Sequence, residues 1–406
     1  MRETTEGSGA PAAPGAEHRA RLAAHGTAST ALALCGDTEL AALLAGAKPL
    51  GTGIGGRSEL LEIDGVPVFV KHVTLTDTEL RPENLRSTAN LFDLPAFCHY
   101  GAGSPGFGAW RELAAHVMTH EWALTGDDPR FPLLHHWRVL PEPAPPLPGE
   151  LADIDRTVAL WGGAAGVRHR LEEMATGRAS LVLFLEYVPQ DLHRWLGDRV
   201  REGGYVADAA CLMVERELLT GTLAMNARGL LHFDTHFGNV LTDGRHLHFT
   251  DHGLSLSSRF RLSPAHSRFL DLHRDHDPCY AMSYLVNRLL WMFSGLGVGD
   301  AAEVVRACAE GARPEGLSDA VAGIVTRHAP VTLVMTDFVL RMLDDPVGTP
   351  YPADELRRLS AERPALPPAG VPARSGDRPS APGPGTAERR TPSAPTGARS
   401  TTTGSE

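Results

Sequence analysis

The sequence predicts an α+β protein of two lobes, with a small β-rich N-lobe followed by a mainly helical C-lobe. Three observations favour this fold class. Strand patterns dominate the first half, where residues 58–73 form a predicted hairpin. Apolar residues at helical spacing dominate the second half, as over 208–228 and 278–350. A proline-rich joint, Pro141 to Pro148, separates the two halves, and strands followed by helices are typical of segregated α+β enzymes.

Composition excludes several classes of protein. The chain has 406 residues, of which 42% are hydrophobic, enough for one large domain or two smaller ones with a sizeable core. Acidic residues outnumber basic ones 49 to 38, so the net charge of −11 argues against a surface for nucleic acid or anionic membrane. No apolar run approaches the roughly 20 residues that a membrane span needs. We therefore expect a cytoplasmic protein with no nucleic-acid or membrane partner.

The five cysteines are scattered and form no CxxC pair. An odd number at wide spacing fits neither a disulfide scaffold nor a cysteine zinc site, which favours a reducing compartment.

Four regions follow from the pattern along the chain. We expect a flexible arm over residues 1–27 and the N-lobe, with insertions, over 28–185. The helical C-lobe is expected over 186–360. Residues 361–406 are rich in Pro, Arg, Ser, Thr and Gly, so they cannot bury enough apolar surface to offset the entropy of ordering, and we expect disorder.

The elements that frame the candidate site can be predicted in order. After the first hairpin, which turns at Asp64-Gly65, residues 109–124 form a predicted helix and 181–185 (LVLFL) a buried strand. The predicted helix over 208–228 leads to Leu-Leu-His-Phe and to a second DG hairpin within 240–249.

A glycine run precedes the first hairpin. Gly51, Gly53 and Gly56 form a GxGxxG pattern, in which the backbone can approach a phosphate closely. The motif alone is weak, and a plain turn is the alternative. Because a strand hairpin follows it rather than a helix, a flap over phosphates fits better than a dinucleotide-binding turn.

Lysine is almost absent from the chain, since all but two of the 38 basic residues are arginine. One of the two, Lys71, lies in the second hairpin strand. Alternation places Phe69, Lys71 and Val73 on one face, so the ammonium is partly enclosed and needs a partner. A compact point charge suits a nucleotide's phosphates, and the alternative is a surface lysine at the sheet edge.

A polar loop follows the predicted strand at 230–233. It carries Asp234 and Asn239 five residues apart, and Asp251 comes twelve residues later. Phosphoryl transfer needs a carboxylate near the attacking hydroxyl, together with a carboxylate and an amide oxygen for magnesium. The three residues have these types, although each alone is more often a turn former.

The series GxGxxG, strand lysine, HxDxxxxN and DxG resembles the protein-kinase-like superfamily over about residues 47–345. The resemblance implies a protein-kinase-like fold that binds ATP and Mg²⁺. Asp234 would be the catalytic-loop aspartate, Asn239 and Asp251 the metal ligands, and Lys71 the phosphate-contacting lysine.

The resemblance also implies a hinge and an ion pair. Glu186 to Val188 would offer backbone groups to adenine. The glutamate that pairs with Lys71 should lie on a helix, and Glu112 is the first candidate although it lies 41 residues after the lysine, which implies an insertion at about 75–107. The alternatives are Glu79, Glu83 and Glu121.

The chain departs from the family pattern in several places. His252 replaces the Phe of DFG, Phe233 replaces the Arg of HRD, and no APE motif is present. The loop DTHFGN, with His236 and Gly238, is closer to the DLHPGN type of aminoglycoside and choline phosphotransferases. Gly253 instead agrees with protein kinases.

Two other interpretations concern the histidines. Asp234 and His236 followed by Gly-Asn also fit a metallophosphoesterase that uses zinc or manganese, although that class leaves Lys71 unexplained. The polar run 271–277 (DLHRDHD) could face a substrate, and we favour a solvated turn.

The sequence thus predicts an ATP- and Mg²⁺-dependent transfer of the γ-phosphoryl group to a hydroxyl. A serine/threonine protein-kinase-like enzyme is the first expectation for the acceptor. A small-molecule phosphotransferase and a nucleotide-binding pseudokinase are the alternatives, and no catalytic position is missing, which argues against the latter.

Overall fold

The computed structural model describes residues 15–53, 56–101, 103–363 and 366. Nearly all of the predicted tail over 361–406, like residues 1–14, lies outside these described residues. The architecture is mixed α+β, with 55% helix and 15% strand, which confirms the predicted α+β class. Every strand pairing in the described residues is antiparallel.

A five-stranded sheet occupies the first half of the chain, in the order β1-β2-β3-β5-β4. The predicted first hairpin is confirmed, since β2 and β3 join through Asp64-Gly65, where both residues have positive φ. The predicted strand at 181–185 is confirmed as the core of β5. The strands are β1 (Lys48–Gly53), β2 (Gly56–Ile63), β3 (Val66–Leu75), β4 (Leu134–Pro141) and β5 (Ala179–Glu186).

Helices cover both faces of this sheet. Val68 and Val70 pack beneath α1 (Ala16–Leu34) and α2 (Asp37–Ala45). On the other face Leu183 packs against α4 (Ala109–Thr125), the predicted helix of this region. The two faces of β3 therefore differ as its alternation predicted.

The prediction of a flexible arm over 1–27 is wrong for residues 16–27, which belong to α1. The physical reason is tertiary packing that the local composition does not encode. Ala28 and Leu32 are fully buried against the sheet, and the Arg21 side chain forms an ion pair with Glu186 at the end of β5.

The proline-rich joint is not a boundary between two halves. The chain leaves the sheet after β4, forms three helices, and returns as β5. This strand pairs with β4 from Leu134 opposite Leu185 to Pro141 opposite Ala179. The three helices are α5 (Gly149–Ala152), α6 (Ile154–Leu160) and α7 (Ala165–Ala175). A second excursion, between β3 and α4, contains α3 (Asp77–Leu80) and lies where an insertion was predicted.

The two excursions, residues 76–108 and 142–178, pack on each other and are here called the bridging unit. They share an apolar core that neither could bury alone. Phe92, Phe107 and Leu151 belong to it, and Trp161 at its centre is fully buried and donates its indole N–H to the Gly103 carbonyl.

The second half of the chain is mainly helical, as predicted, around a separate core. Its predicted long helix and second hairpin are confirmed by α9 and by β8 with β9. The helices are α8 (Leu192–Glu202), α9 (Gly204–Ala227), α10 (Pro264–Leu272), α11 (His276–Ser294), α12 (Val298–Ala309), α13 (Asp319–Asp344) and α14 (Ala353–Ala361). The short strands are β6 (Gln190–Asp191), β7 (Leu230–Leu231), β8 (Val240–Thr242), β9 (Leu247–Phe249) and β10 (Leu256–Ser257).

All five cysteines are free thiols. In the part of the chain that the structure describes, no single helix is long and apolar enough to cross a membrane. The pair α1 and α2 meets that criterion only when joined across a bend of 119°.

Candidate active site

A buried ion-pair group lies between the sheet and the helical half. The Nζ atom of Lys71 lies 2.7 Å from Glu112 Oε1 and 2.9 Å from Asp251 Oδ1. Lys71 comes from the middle of β3 and Glu112 from the first turn of α4. Asp251 follows β9, so three separate elements meet at one ammonium.

Burial and pairing oppose each other in this group. Burial disfavours the charge of Lys71, but Asp251 and Glu112 more than offset it and raise the pKa of the ammonium. Burial would raise the pKa of Asp251, but Lys71 lowers it to about 2. Burial raises the pKa of Glu112 despite the neighbouring Lys71. The lysine and Asp251 are therefore charged at neutral pH.

Of the four glutamates considered for Lys71, the structure selects Glu112. Glu79 is also buried, but its carboxylate caps two helices instead. It accepts from the Thr76 N–H and hydroxyl at the start of α3 and from the Ala109 N–H at the start of α4. The 41-residue separation arises because the first excursion of the bridging unit lies between β3 and α4.

The loop at 232–239 places two predicted residues side by side. The Asn239 side-chain amide donates to Asp234 Oδ2 over 2.9 Å and to the Asp234 carbonyl over 3.0 Å. Its Oδ1 atom is left as an acceptor. Burial raises the pKa of Asp234, partly offset by His236 and His232. His236 accepts from the Gly238 N–H at Nδ1, and its Nε2 lies 3.7 Å from Asp234.

Two non-glycine residues next to these groups have left-handed backbones. Phe233, immediately before Asp234, has φ 65°, and Asp251 has φ 63°. Such conformations are costly for residues with a side chain and persist only where the surroundings enforce them. Their position beside both carboxylates indicates that the backbone is held to aim these side chains.

Sequence reasoning missed Asp277, the residue that holds the backbone at Phe233. Its carboxylate, completely buried at the start of α11, accepts from the N–H of His232 over 2.7 Å and of Phe233 over 2.8 Å. The prediction of a solvated turn over 271–277 is therefore wrong for Asp277, His273 and His276, all buried. The apolar helix that directly follows, 280–293, is the only local signal for this burial.

The histidines near the loop do not form a metal site. Among the described residues no group of three or more His, Cys, Asp or Glu side chains could hold a metal ion. His232 instead bonds the Thr250 carbonyl through Nε2 over 2.9 Å, and His252 contacts Thr119 and Ser255. Burial lowers the pKa of His252 well below its ordinary value, so it stays neutral.

Two adjoining cavities share Asn239 and Asp251. The strand-side cavity, about 480 Å³, is lined by β1, β2 and the chain that follows β5. Lys71, Val188 and the three predicted glycines line it. The bridging-unit cavity, about 410 Å³, lies on the other side of the same two residues and contains Asp234 and His236.

The glycines have different reasons to be glycine. Gly56 has φ 115°, and a Cβ there would lie 1.9 Å from the His72 carbonyl oxygen, so no other residue fits. At Gly51 and Gly53 a Cβ would meet nothing within 4 Å and would project into free space. Both line the strand-side cavity, whereas residues 54 and 55 of the run lie outside the described part of the chain.

Glu186 and Val188 also line the strand-side cavity, but they differ in what they can offer. The Glu186 N–H is occupied by the Leu133 carbonyl, and its carboxylate accepts from Arg21 and from the Leu133 N–H. Within the described residues the Val188 backbone makes no hydrogen bond. The Tyr187 backbone makes none either, so both residues that follow Glu186 have free backbone groups in this cavity.

The donor set fits magnesium and a nucleotide. Asp251 and Asn239 present carboxylate and amide oxygen, the ligand types that Mg²⁺ prefers, at the junction of the two cavities. Lys71 supplies a fixed positive charge at the same place, and the glycine strand leaves room for phosphates.

No family model matches the chain, and no curated protein matches it.

Proposed function

We propose that this chain is an ATP- and Mg²⁺-dependent phosphotransferase with a two-lobed, protein-kinase-like fold, transferring the γ-phosphoryl group to a hydroxyl. The observation that carries the proposal is the junction of the two cavities. There the Lys71–Glu112–Asp251 group faces the Asp234–Asn239 pair. A plain structural ion pair would need neither the adjoining cavities nor the strained backbone at Asp251.

The strand-side cavity is assigned to ATP. The Val188 backbone would meet the adenine edge, and Lys71, held by Glu112, would meet the phosphates. Asp251 and Asn239 Oδ1 would hold Mg²⁺, which when bound neutralises charge on the phosphate oxygens. Lys71 is preorganised for this task, because Glu112 fixes its ammonium before any ligand arrives.

Asp234 is assigned to the acceptor hydroxyl. It lies on the bridging-unit side of the metal ligands, and Asn239 fixes one of its oxygens. The other oxygen is free to accept the proton of a hydroxyl as that hydroxyl attacks phosphorus. Burial raises the pKa of Asp234, which strengthens it as a proton acceptor.

The test is transfer of label from [γ-³²P]ATP in the presence and absence of Mg²⁺. We expect Mg²⁺-dependent transfer that is lost in Lys71→Ala and not restored by Lys71→Arg, because the guanidinium fork cannot replace a point charge. The chain provides a matched control, since Lys48 is its only other lysine and is exposed on β1. Lys48→Ala should behave as wild type.

Two results would contradict the proposal. Wild-type activity in Lys71→Arg would make the lysine a structural residue. Hydrolysis of phosphodiesters without use of ATP would favour the metallophosphoesterase alternative.

A further inference from the structure

The bridging unit is bonded to both halves of the molecule. Towards the sheet, Glu79 accepts from the Ala109 N–H over 2.7 Å, and its carbonyl accepts from the Trp110 indole over 2.8 Å. Towards the helical half, His99 Nδ1 lies 2.7 Å from the Leu254 carbonyl oxygen, and Tyr100 Oη lies 2.7 Å from His273 Nε2. The unit therefore spans the acceptor side of the cleft.

The wall of the bridging-unit cavity is built from both excursions. Ser104 to Gly108 form one side, and Pro145 to Pro148 with Met174 form another. Asp234 lies in the same cavity, which is partly open to solvent and is called the enclosure below. Outside the proposed catalytic group the lining is mixed. It has polar side chains in Thr74, Ser104, Glu150, Arg170 and His236, and a larger apolar set in Val73, Pro105, Pro145, Pro146, Leu147, Pro148, Met174 and Leu254.

The wall is held in place before any acceptor binds. The chain that leads into Pro145–Pro148 is tied to the two residues just before β5 by two backbone bonds, Glu142 N–H to the Arg178 carbonyl and Ala144 N–H to the Gly177 carbonyl. The three prolines of Pro145–Pro148 have fixed φ. On the opposite side the buried Arg170 guanidinium donates to the Pro105 carbonyl over 2.9 Å.

From this enclosure we infer that the acceptor is a small hydroxylated molecule with an apolar body, and not a serine or threonine of a polypeptide. The inference rests on the proposed function. A volume of about 410 Å³ lies within the usual range for small-ligand pockets. An extended peptide advances about 3.3 Å per residue and must enter and leave along an open groove, but the bridging unit occupies that side.

The proposed transfer balances in atoms and electrons. The acceptor oxygen forms a bond to the γ-phosphorus of ATP, and the bond from that phosphorus to the bridging oxygen breaks. ADP leaves with that electron pair, and the acceptor proton passes to Asp234.

The test compares two pools of acceptors from a heat-treated cell extract, a small-molecule filtrate and a protein fraction, each incubated with the full chain, [γ-³²P]ATP and Mg²⁺. We expect wild type to label the filtrate. Met174→Trp fills the enclosure from α7 and should reduce that labelling about tenfold or more, the usual discrimination of an apolar pocket. Met174→Leu conserves volume and is the matched control. Nucleotide affinity should be unchanged in both variants.

The other possible outcomes separate this inference from the proposed phosphoryl transfer. Label on the protein fraction, undiminished in Met174→Trp, would overturn the inference and leave the phosphotransferase intact. Equal labelling of the filtrate by Met174→Trp and wild type would also overturn it. Label in neither pool, with ATP still bound, would overturn the proposed transfer itself.

Discussion

The two sides of the cleft are built in different ways. On the strand side, Lys71 and Glu112 project from a central strand and a long helix, and charge pairing at 2.7 Å fixes their positions. On the acceptor side, Asp234 lies in a loop whose backbone is held by hydrogen bonds to Asp277. Under the proposed function, nucleotide binding would depend on the packing of regular elements, whereas acceptor chemistry would depend on a few hydrogen bonds to one loop. Substitutions should therefore separate the two.

Asp251 belongs to both sides, so its loss should have the largest effect. Asp251→Asn keeps the shape but removes the charge that pairs with Lys71 and would hold Mg²⁺. We expect no measurable phosphoryl transfer at any ATP concentration, in a chain that still folds. Transfer that returned at high ATP would show that Asp251 only assists binding.

Asp234→Ala should separate the two sides of the cleft, because it removes the proposed proton acceptor and leaves Lys71 and Glu112 in place. We expect ATP affinity close to wild type and turnover lower by about 10²–10⁴-fold, the usual range for a positioned general base. Affinity and transfer rate are measured on the same preparation.

Asp243→Ala is the matched control for Asp234→Ala. Asp243 is a turn aspartate whose carboxylate accepts from the Arg245 and His246 N–H groups of the second hairpin. Its loss should lower stability with little effect on turnover. If Asp234→Ala behaved in the same way, Asp234 would be a turn former and not a base.

Asp277→Asn tests whether the loop bonds aim Asp234. An amide can accept only one of the two N–H bonds and turns a donor towards the other, so one buried N–H loses its partner. We expect a loss of about 1–3 kcal/mol in unfolding free energy and lower kcat at unchanged ATP affinity. Loss of stability with wild-type kcat in the folded fraction would limit Asp277 to a structural role.

The smallest effect should come from outside the cleft, where α1 supports the strand side. His25 and His135 face each other with Nδ1 atoms 3.1 Å apart, and His120, Glu186 and Arg21 surround them. Burial, aided by His25, lowers the pKa of His135 from 6.5 to about 4. Burial also lowers the pKa of His25.

The sign of the pH dependence follows from these depressed values. Between pH 6.5 and about 4 the unfolded chain binds protons that the folded chain does not. Unfolding free energy should therefore be independent of these groups above pH 6.5 and fall as the pH is lowered, by about 1.4 kcal/mol per unit for each histidine. Urea denaturation from pH 7 to 5 measures the slope, and His135→Gln should flatten it. An unchanged slope in this variant would assign the acid sensitivity elsewhere.

Local elements on both sides of the cleft were predictable from sequence, and the long-range contacts that hold them were not. Alternation along β3 and the spacing of 109–124 are local signals, and they placed Lys71 and Glu112 on the correct elements. The burial of Asp277 depends on partners 44 or more residues away. The folding of 16–27 onto the sheet depends on β3, and on Glu186, which is 165 residues from Arg21. No local pattern encodes such contacts. The prediction that the proline-rich joint separates two halves was wrong for the same reason, since β5 returns to the sheet after the joint.

The double attachment of the bridging unit has a consequence for motion. Opening of the cleft by rotation at the segment after β5 would stretch a unit that is bonded to α4 on one side and to Leu254 and His273 on the other. The bridging unit therefore resists small rotations that would open the cleft. We therefore expect any such rotation to require local opening at His99 and Tyr100, where two hydrogen bonds and the ring contacts of His99 with Phe107 and of Tyr100 with His273 must first break.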